Sequence, residues 1–314
     1  METIVHIFPY AIAFAMPLLV TSLGGLYSER SGVVNIGLEG LMVVGGFASA
    51  AFTVYLTPSL GPWAIWLSLG VAMVFGALFS VLHAFASISL NANQVISGTA
   101  INMIAGAVTV FLARTITGSG NIQLTQGIPR FDVPGLVEVP VIGRLFFYQT
   151  YGTTWLILII LVLAAFLLYK TAFGLRLRAC GENPHAADAA GINVYRVRYG
   201  AVMISGALAG LGGATILVTY SGEFSGSVAG MGFLALAALI FGQWKPTGVL
   251  GATFFFGFAA TLANASQAEP ALKAIPEVVL KVFPYVLTLL ALVFFSKSTQ
   301  APRAAGEPFE KGKR

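Results

Sequence analysis

The sequence predicts an all-α fold: a polytopic helical membrane protein with about nine transmembrane helices. Of its 314 residues, 57% are hydrophobic and only 9% are charged, whereas a soluble domain carries about 25% charged residues. The apolar residues also run in long stretches, and roughly 20 such residues cross the hydrocarbon core of a bilayer as a helix. Composition and patterning together argue against the one or two soluble domains that the chain length alone would allow.

Each predicted span corresponds to one apolar stretch, and the seventh stretch is short. The first stretch lacks the basic region of a signal peptide, and Pro9 and Pro17 interrupt it. We interpret it as a retained first span rather than a cleaved leader. The predicted spans are residues 5–27, 34–56, 62–86, 93–114, 152–170, 200–219, 229–243, 247–266 and 277–296.

The spans form one transmembrane domain over residues 1–298. Within it, residues 115–150 are a polar connection with scattered proline and glycine, and residues 171–199 are a basic loop. Residues 299–314 are hydrophilic, which predicts a disordered tail. Lysine and arginine accumulate on the cytoplasmic side of a membrane, so the basic loop and the C-terminal tail are predicted to be cytoplasmic. The connection 115–150 and the N-terminus are then external.

Several functional classes find no support in the sequence. The net charge is +5, but the basic residues lie mostly at the ends of apolar stretches, which indicates membrane lipid rather than nucleic acid as the partner. Cys180 is the single cysteine, so there is no internal disulfide and no cysteine metal site. Neither an H-E-x-x-H sequence nor a G-x-S-x-G elbow is present. We predict no catalytic residue, no metal and no cofactor.

A short polar helix interrupts the apolar chain at "GENPHAADAAGI", residues 181–192. Asn183 is a good N-cap, Pro184 suits the first helical position, and Gly191 suits the left-handed position after the last turn. A helix of about two turns does not persist alone in water, so it is expected to dock on a partner. An ordinary connecting loop is the alternative. The predicted docking residues are Glu182, Asn183, Pro184, Ala187, Asp188 and Gly191.

A path for a solute is predicted from polar residues inside the spans. Asn35 and Glu39 share a helical face, and a carboxyl group in lipid is costly, so Glu39 should face protein or a water-filled cavity. The alternative is that Glu39 ties helices together, with Arg30 as its partner. Ser97 and Asn102 lie within the fourth span and could bind a neutral solute, or they form hydrogen bonds between helices.

Glycine-rich stretches at residues 32–46 and 222–232 predict helices that are broken within the membrane. Broken segments in corresponding halves of a chain are typical of inverted repeats around a site near the bilayer midplane. Close packing of helices through glycine is the alternative explanation. We expect inverted repeats.

Three motifs resemble one family of transport proteins, and they occur in the family's order over nearly the whole chain. "GLRLRACGENPHAADAAGINVYRVR" (174–198) looks like the coupling loop of ABC-importer permeases in the branched-chain amino acid and simple sugar superfamily. "RSGVVNIGLEGLMVVGGFASA" (30–50) resembles its nucleoside-type permeases, which are associated with a basic membrane protein. "GMGFLALAALIFGQWKPTGVLGA" (230–252) is similar to their later glycine-rich pair of spans.

This resemblance implies a function and a set of partners. It implies a permease in the bacterial cytoplasmic membrane that imports a small neutral solute, namely purine nucleosides. Simple sugars or branched-chain amino acids are the alternative solutes, and an ion-coupled secondary transporter is the alternative mechanism. The implied partners are an ABC ATPase subunit, a second identical or homologous permease subunit and an extracytoplasmic substrate-binding lipoprotein. The chain has no G-x-x-x-x-G-K-[ST] sequence, which agrees with ATP hydrolysis by a separate subunit.

Overall fold

The computed structural model of the chain describes residues 2–265, 278, 279, 282, 286 and 300–312. These residues are mostly helical, and seven of their helices are long and apolar enough to cross a membrane. The predicted class, a polytopic helical membrane protein, is therefore confirmed. Apart from four positions, the predicted ninth span at 277–296 lies outside the described residues.

Ten helices and four two-residue strands follow one another along the described chain. Helices α3 and α8 each continue into a π-helical turn, at Phe85–Ser89 and Leu217–Ser221, and a third π-helical turn lies at Gly143–Phe147. The elements are α1 (Glu2–Arg30), α2 (Leu38–Leu60), α3 (Trp63–Ala84), α4 (Gln94–Thr117), β1 (Ile122–Gln123), β2 (Arg130–Phe131), β3 (Thr150–Tyr151), α5 (Gly152–Lys170), α6 (Ala172–Glu182), α7 (Pro184–Ala189), α8 (Val194–Ile216), β4 (Glu223–Phe224), α9 (Met231–Phe241) and α10 (Pro246–Ala265).

Two of these elements differ from an uninterrupted span. The chain unwinds after Arg30 and resumes its helix only at Leu38, so the predicted span at 34–56 begins inside a non-helical stretch. Helix α9 has 11 residues, which at about 1.5 Å per residue reach roughly halfway across a bilayer. Breaks in both predicted glycine-rich stretches are therefore present.

Helices α1 and α8 form the centre of the fold. In the most apolar window of each, 83% of the residues are buried, against 28% in α4 and in α5. The two central helices run antiparallel, since Gly24 lies beside Ser205 and Gly212 lies beside Pro17. Helices α4 and α5 are left at the periphery, where their exposed apolar side chains suit contact with lipid.

Helix α8 packs on α2 and α3 through glycine, so that backbones touch. A Cβ atom added at Gly210 would overlap the carbonyl oxygen of Ala72, and one added at Gly206 would overlap that of Gly76. Small residues that allow such approach are the common means of helix association in membranes. Close packing of helices through glycine is thus observed at Gly206 and Gly210.

Gly210→Ala is expected to lower the thermal unfolding temperature of the purified protein, because the added methyl group pushes α8 away from α3. Gly200→Ala is the matched control in the same helix, since a Cβ atom there meets no atom within 4 Å. That change should leave stability unchanged or raise it by up to about 1 kcal/mol, the difference in helix propensity. Equal effects of the two substitutions on the melting temperature would contradict the packing argument.

Helices α6 and α7 mark one end of the bundle, which we call the α7 end. Helix α1 finishes there, because Arg30 lies 3.9 Å from Glu182. Helix α9 also finishes there, because Arg30 donates hydrogen bonds to the carbonyl of Trp244. At the opposite, far end, β1 pairs with β4 and β2 pairs with β3, both antiparallel.

The C-terminal residues 300–312 pack against the α7 end instead of forming the disordered tail that their composition predicts. The backbone N–H of Ala304 donates to the carbonyl of Gly181 at 2.9 Å, and that of Gly306 donates to Gly32 at 3.1 Å. Phe309 is only 3% exposed. The segment pairs backbone carbonyls that lack a helical partner and buries Phe309 in an apolar cluster. The amino-acid composition of the segment reveals neither contact.

Candidate functional site

The unwound segment between α1 and α2, residues 31–37, lies among polar side chains from two other helices. Its Val34 N–H donates to Gln94 Oε1 at 2.7 Å, and its Val34 carbonyl is 3.0 Å from Nε2 of His83. A carbonyl oxygen only accepts, so Nε2 carries a proton, and Nδ1 lies 2.9 Å from the Ser97 hydroxyl. These side chains satisfy the backbone groups that lack a helical partner.

Two asparagines complete the hydrogen bonds around this segment. Asn102, on α4, accepts from the N–H of Gly40 at 2.7 Å and donates to the carbonyl of Ile36 at 3.0 Å. Asn35 is fully buried and donates to the hydroxyl of Ser205 on α8 at 3.0 Å. The broken stretch is therefore attached to both α4 and α8 by amide side chains.

Glu39 caps the half-length helix α9. Its two carboxylate oxygens accept from the backbone N–H groups of Gly230, at 2.8 Å, and Gly232, at 2.6 Å. Gly230 has φ +81°, a conformation that glycine adopts without strain and that exposes these N–H groups. A carboxylate at a helix N-terminus is stabilised by the free N–H groups and by the helix dipole. Arg30, considered as its partner from the sequence, contacts Glu182 and Trp244 instead.

The four residues predicted along a solute path therefore surround one feature. Asn35, Glu39, Ser97 and Asn102 all lie at or around the break between α1 and α2, and each forms at least one hydrogen bond within the chain. Glu39 is the charged member of the group and joins this break to the second break, at α9. Their hydrogen bonds agree with the alternative of links between helices, and contact with a solute stays a prediction.

Sequence reasoning did not identify Glu29 and Gln94 as functional candidates. The predicted first span ends at residue 27, but α1 extends to Arg30. Glu29 is 7% exposed, and its carboxylate accepts a hydrogen bond from the indole N–H of Trp244. Gln94 follows Asn93, the observed N-cap of α4, and only the folded chain brings it to Val34. Hydropathy marks where a span lies but does not report which distant backbone group a polar side chain meets.

The short helix at the α7 end has the predicted caps. The Asn183 side chain accepts from the N–H of Ala186 at 3.0 Å, Pro184 occupies the first turn, and Gly191 has φ +81°. The backbone N–H of Ile192 returns to the carbonyl of Ala187, the pattern of a glycine-terminated helix. The helix at this position is thus confirmed, and its coupling role stays a prediction.

Ala187 does not lie on the outward surface of α7. It is 3% exposed and belongs to a cluster of buried side chains together with Cys180, Val194 and Phe309. Pro184 is buried as well, whereas Asp188 is half-buried. The surface open to a partner consists of Glu182, Asn183, His185, Ala186, Ala189, Ala190 and Gly191.

Comparison with known proteins assigns the chain to a family. The family described as "Branched-chain amino acid transport system / permease component" matches residues 7–292, which is most of the sequence. The chain belongs to this family. As an ABC permease component, this permease is a multi-pass membrane protein and a transport subunit rather than an enzyme, and its class works with an ATPase and a substrate-binding partner.

Three relatives align with the permease over nearly its whole length. The guanosine ABC transporter permease protein NupQ of Bacillus subtilis (strain 168) is 48% identical over 98% of this chain and 97% of its own. The nucleoside ABC transporter permease protein NupC of Lactococcus lactis subsp. cremoris is 43% identical, covering 96% of both chains. The putative glucose ABC transporter permease protein TsgC13 of Haloferax volcanii is 34% identical over 93% and 92%. Each of the first two bacteria also has a second, more distant relative named as a guanosine or nucleoside permease.

Proposed function

We propose that this permease is the membrane subunit of an ATP-driven importer of purine nucleosides in the bacterial cytoplasmic membrane. The observation that carries the proposal is the near full-length similarity to permeases named for guanosine and nucleosides, at 48% and 43% identity. A permease named for glucose is more distant, at 34%. The hydrogen-bonding groups at the two helix breaks suit a neutral, polar solute.

We place the α7 end in the cytoplasm and the far end outside. Lys170, Arg176, Arg178 and Arg196 lie at the α7 end, which supports this orientation by the positive-inside rule. The packing of residues 300–312 at the same end supports a cytoplasmic C-terminus. A substrate-binding lipoprotein then delivers solute to the far end, and the ATPase binds the exposed surface of α7.

The described contacts offer a route from the ATPase to the helix breaks. Helix α7 follows directly on α6, whose last residue, Glu182, lies near Arg30. Arg30 in turn holds the Trp244 carbonyl just after α9 through its Nε and Nη2 atoms, at 3.1 and 2.7 Å. Movement of α7 is thereby passed to α9, whose opposite end is bound by Glu39. Asn35, Ser97 and Asn102 position the first break beside this path.

We further propose that the functional unit contains two related but non-identical permeases. The support is that Bacillus subtilis and Lactococcus lactis each have two different relatives of this chain with similar printed functions. The second permease would be a homologous but non-identical chain. Mass measurement of the purified complex distinguishes this heterodimer from a homodimer.

The substrate is tested by uptake into proteoliposomes that contain the permease, its partner permease, the ATPase and the binding protein. We expect ATP-dependent uptake of labelled guanosine, which excess unlabelled adenosine inhibits and excess glucose or leucine does not. Uptake of glucose or leucine instead would show that the substrate is a sugar or an amino acid. Uptake by the permease alone, driven by an ion gradient without the ATPase, would refute the proposed importer.

A further inference from the structure

The C-terminal segment connects two functional parts of the α7 end. Near α7, the backbone N–H of Ala304 donates to the carbonyl of Gly181 on α6. At the break between α1 and α2, the backbone N–H of Gly306 donates to the carbonyl of Gly32 at 3.1 Å. Only Ala305 therefore separates the residue that contacts α6 beside α7 from the residue that contacts the unwound segment 31–37.

Phe309 anchors this segment on α7. Its ring centroid lies 5.2 Å from that of His185, on α7, and 5.4 Å from that of Tyr195, at the start of α8. The Tyr195 hydroxyl donates to the Phe309 carbonyl at 3.2 Å. Because Phe309 is 3% exposed and shares its cluster with Ala187, burial of an aromatic side chain holds the segment to the inner face of α7.

Arg198 links the same segment to the break a second time. Its side chain is 1% exposed, and its guanidinium donates through Nε to the Ser31 carbonyl and through Nη1 to the Glu307 carbonyl, both at 3.1 Å. Nη2 has no hydrogen-bond partner within residues 2–265 and 300–312. A buried cation is costly unless acceptors surround it, so loss of the Glu307 carbonyl would destabilise this contact with Ser31.

We propose that residues 304–309 form a strap that transmits the movement of α7 to the unwound segment 31–37. The inference rests on the proposed function, in which the ATPase moves α7. Helix α7 has six residues, too few for a self-supporting lever. The strap adds a second connection beside the contact of Arg30 with Glu182, since it is hydrogen-bonded to α6 and packed on α7 at one side and hydrogen-bonded to Gly32 and Arg198 at the other.

Phe309→Ala in the complete reconstituted complex tests the strap. The ATPase should stay bound and hydrolyse ATP, while solute taken up per ATP falls about fivefold or more, the lower end of typical coupling between two sites. Phe309→Leu keeps an apolar side chain and should restore most of this ratio. Lys311→Ala, at an exposed position two residues further on, should behave as the wild type.

The single cysteine reports directly whether the strap has been released. Cys180 is buried in the same cluster as Phe309, and this burial raises the pKa of its thiol, partly offset by the nearby Arg198 charge. The thiolate is the reactive form, so a maleimide should label wild-type Cys180 slowly. In Phe309→Ala we expect faster labelling, measured by mass spectrometry of the permease, together with an unchanged size-exclusion profile.

The outcomes separate failure of the strap from failure of the proposed function. Faster labelling of Cys180 with a wild-type ratio of uptake to ATP would overturn the strap, because its release would then have no consequence. Loss of the ATPase from Phe309→Ala would also overturn it, since the segment would then serve docking. A wild-type complex that holds no ATPase at all would instead refute the proposed importer.

Discussion

Replacing Ala186 with aspartate is expected to remove the ATPase from the purified complex and to abolish uptake. Ala186 lies on the exposed surface of α7, where a new charge would be buried against a bound ATPase. An uncompensated buried charge costs about 3–5 kcal/mol, which corresponds to an affinity loss of more than about 100-fold. The measurement is the amount of ATPase recovered with the tagged permease in mild detergent.

The position of Ala186 should allow the variant to fold, and a matched control tests the effect of the added charge. An acidic residue in the first turn of a helix is favourable, so Ala186→Asp should leave α7 intact. Ala172→Asp places the same change at an exposed position in the first turn of α6, and this variant should retain the ATPase. Normal ATPase recovery with Ala186→Asp would show that α7 is not the docking surface. Ala187→Asp cannot serve here, because Ala187 is buried within its own chain.

Glu39→Gln is expected to leave an assembled complex that imports much less solute. Both carboxylate oxygens now accept from backbone N–H groups at the start of α9, whereas a glutamine offers one acceptor and turns an NH₂ group toward the other N–H. Loss of a hydrogen bond to a charged group costs about 1.5–3 kcal/mol. That is enough to release the start of α9 without unfolding the bundle. Uptake and the yield of complex by size-exclusion are measured together.

Glu223→Gln is the control for this change of charge. Glu223 also accepts a hydrogen bond, from the Asn121 side chain at 2.7 Å, but it lies in β4 at the far end, and this bond does not involve α9. It should import solute at the wild-type rate. Loss of the complex in Glu39→Gln would assign Glu39 a purely structural role, and normal uptake would deny it any part in transport.

Local features of the structure were predictable because the residues that form them are adjacent in the chain. Asn183, Pro184 and Gly191 define both ends of α7 through contacts within a few residues. The long apolar stretches likewise marked the spans, because hydropathy depends on composition over a short window. The same reasoning placed the two breaks, since glycine is what permits them.

Long-range features were not predictable from one sequence. The inward orientation of Ala187 depends on Phe309, more than a hundred residues away, and the role of Glu39 depends on the N–H groups that precede and begin α9. The order of the tail depends on carbonyls left free by the break after Arg30. In each case the partner is selected by the tertiary fold, which a periodicity or a composition does not contain.

The backbone contacts made by α8 join it closely to α2 and α3. At Gly45, Gly206 and Gly210, main-chain atoms of α8 meet those of α2 and α3 with no side chain between them, and such tightly packed surfaces do not slide gradually past one another. Together with α1, these helices form one closely packed scaffold, and we expect them not to slide along one another. In the proposed importer, we expect the change of exposure to come from the half-length α9 and the two unwound stretches, which lie outside this scaffold.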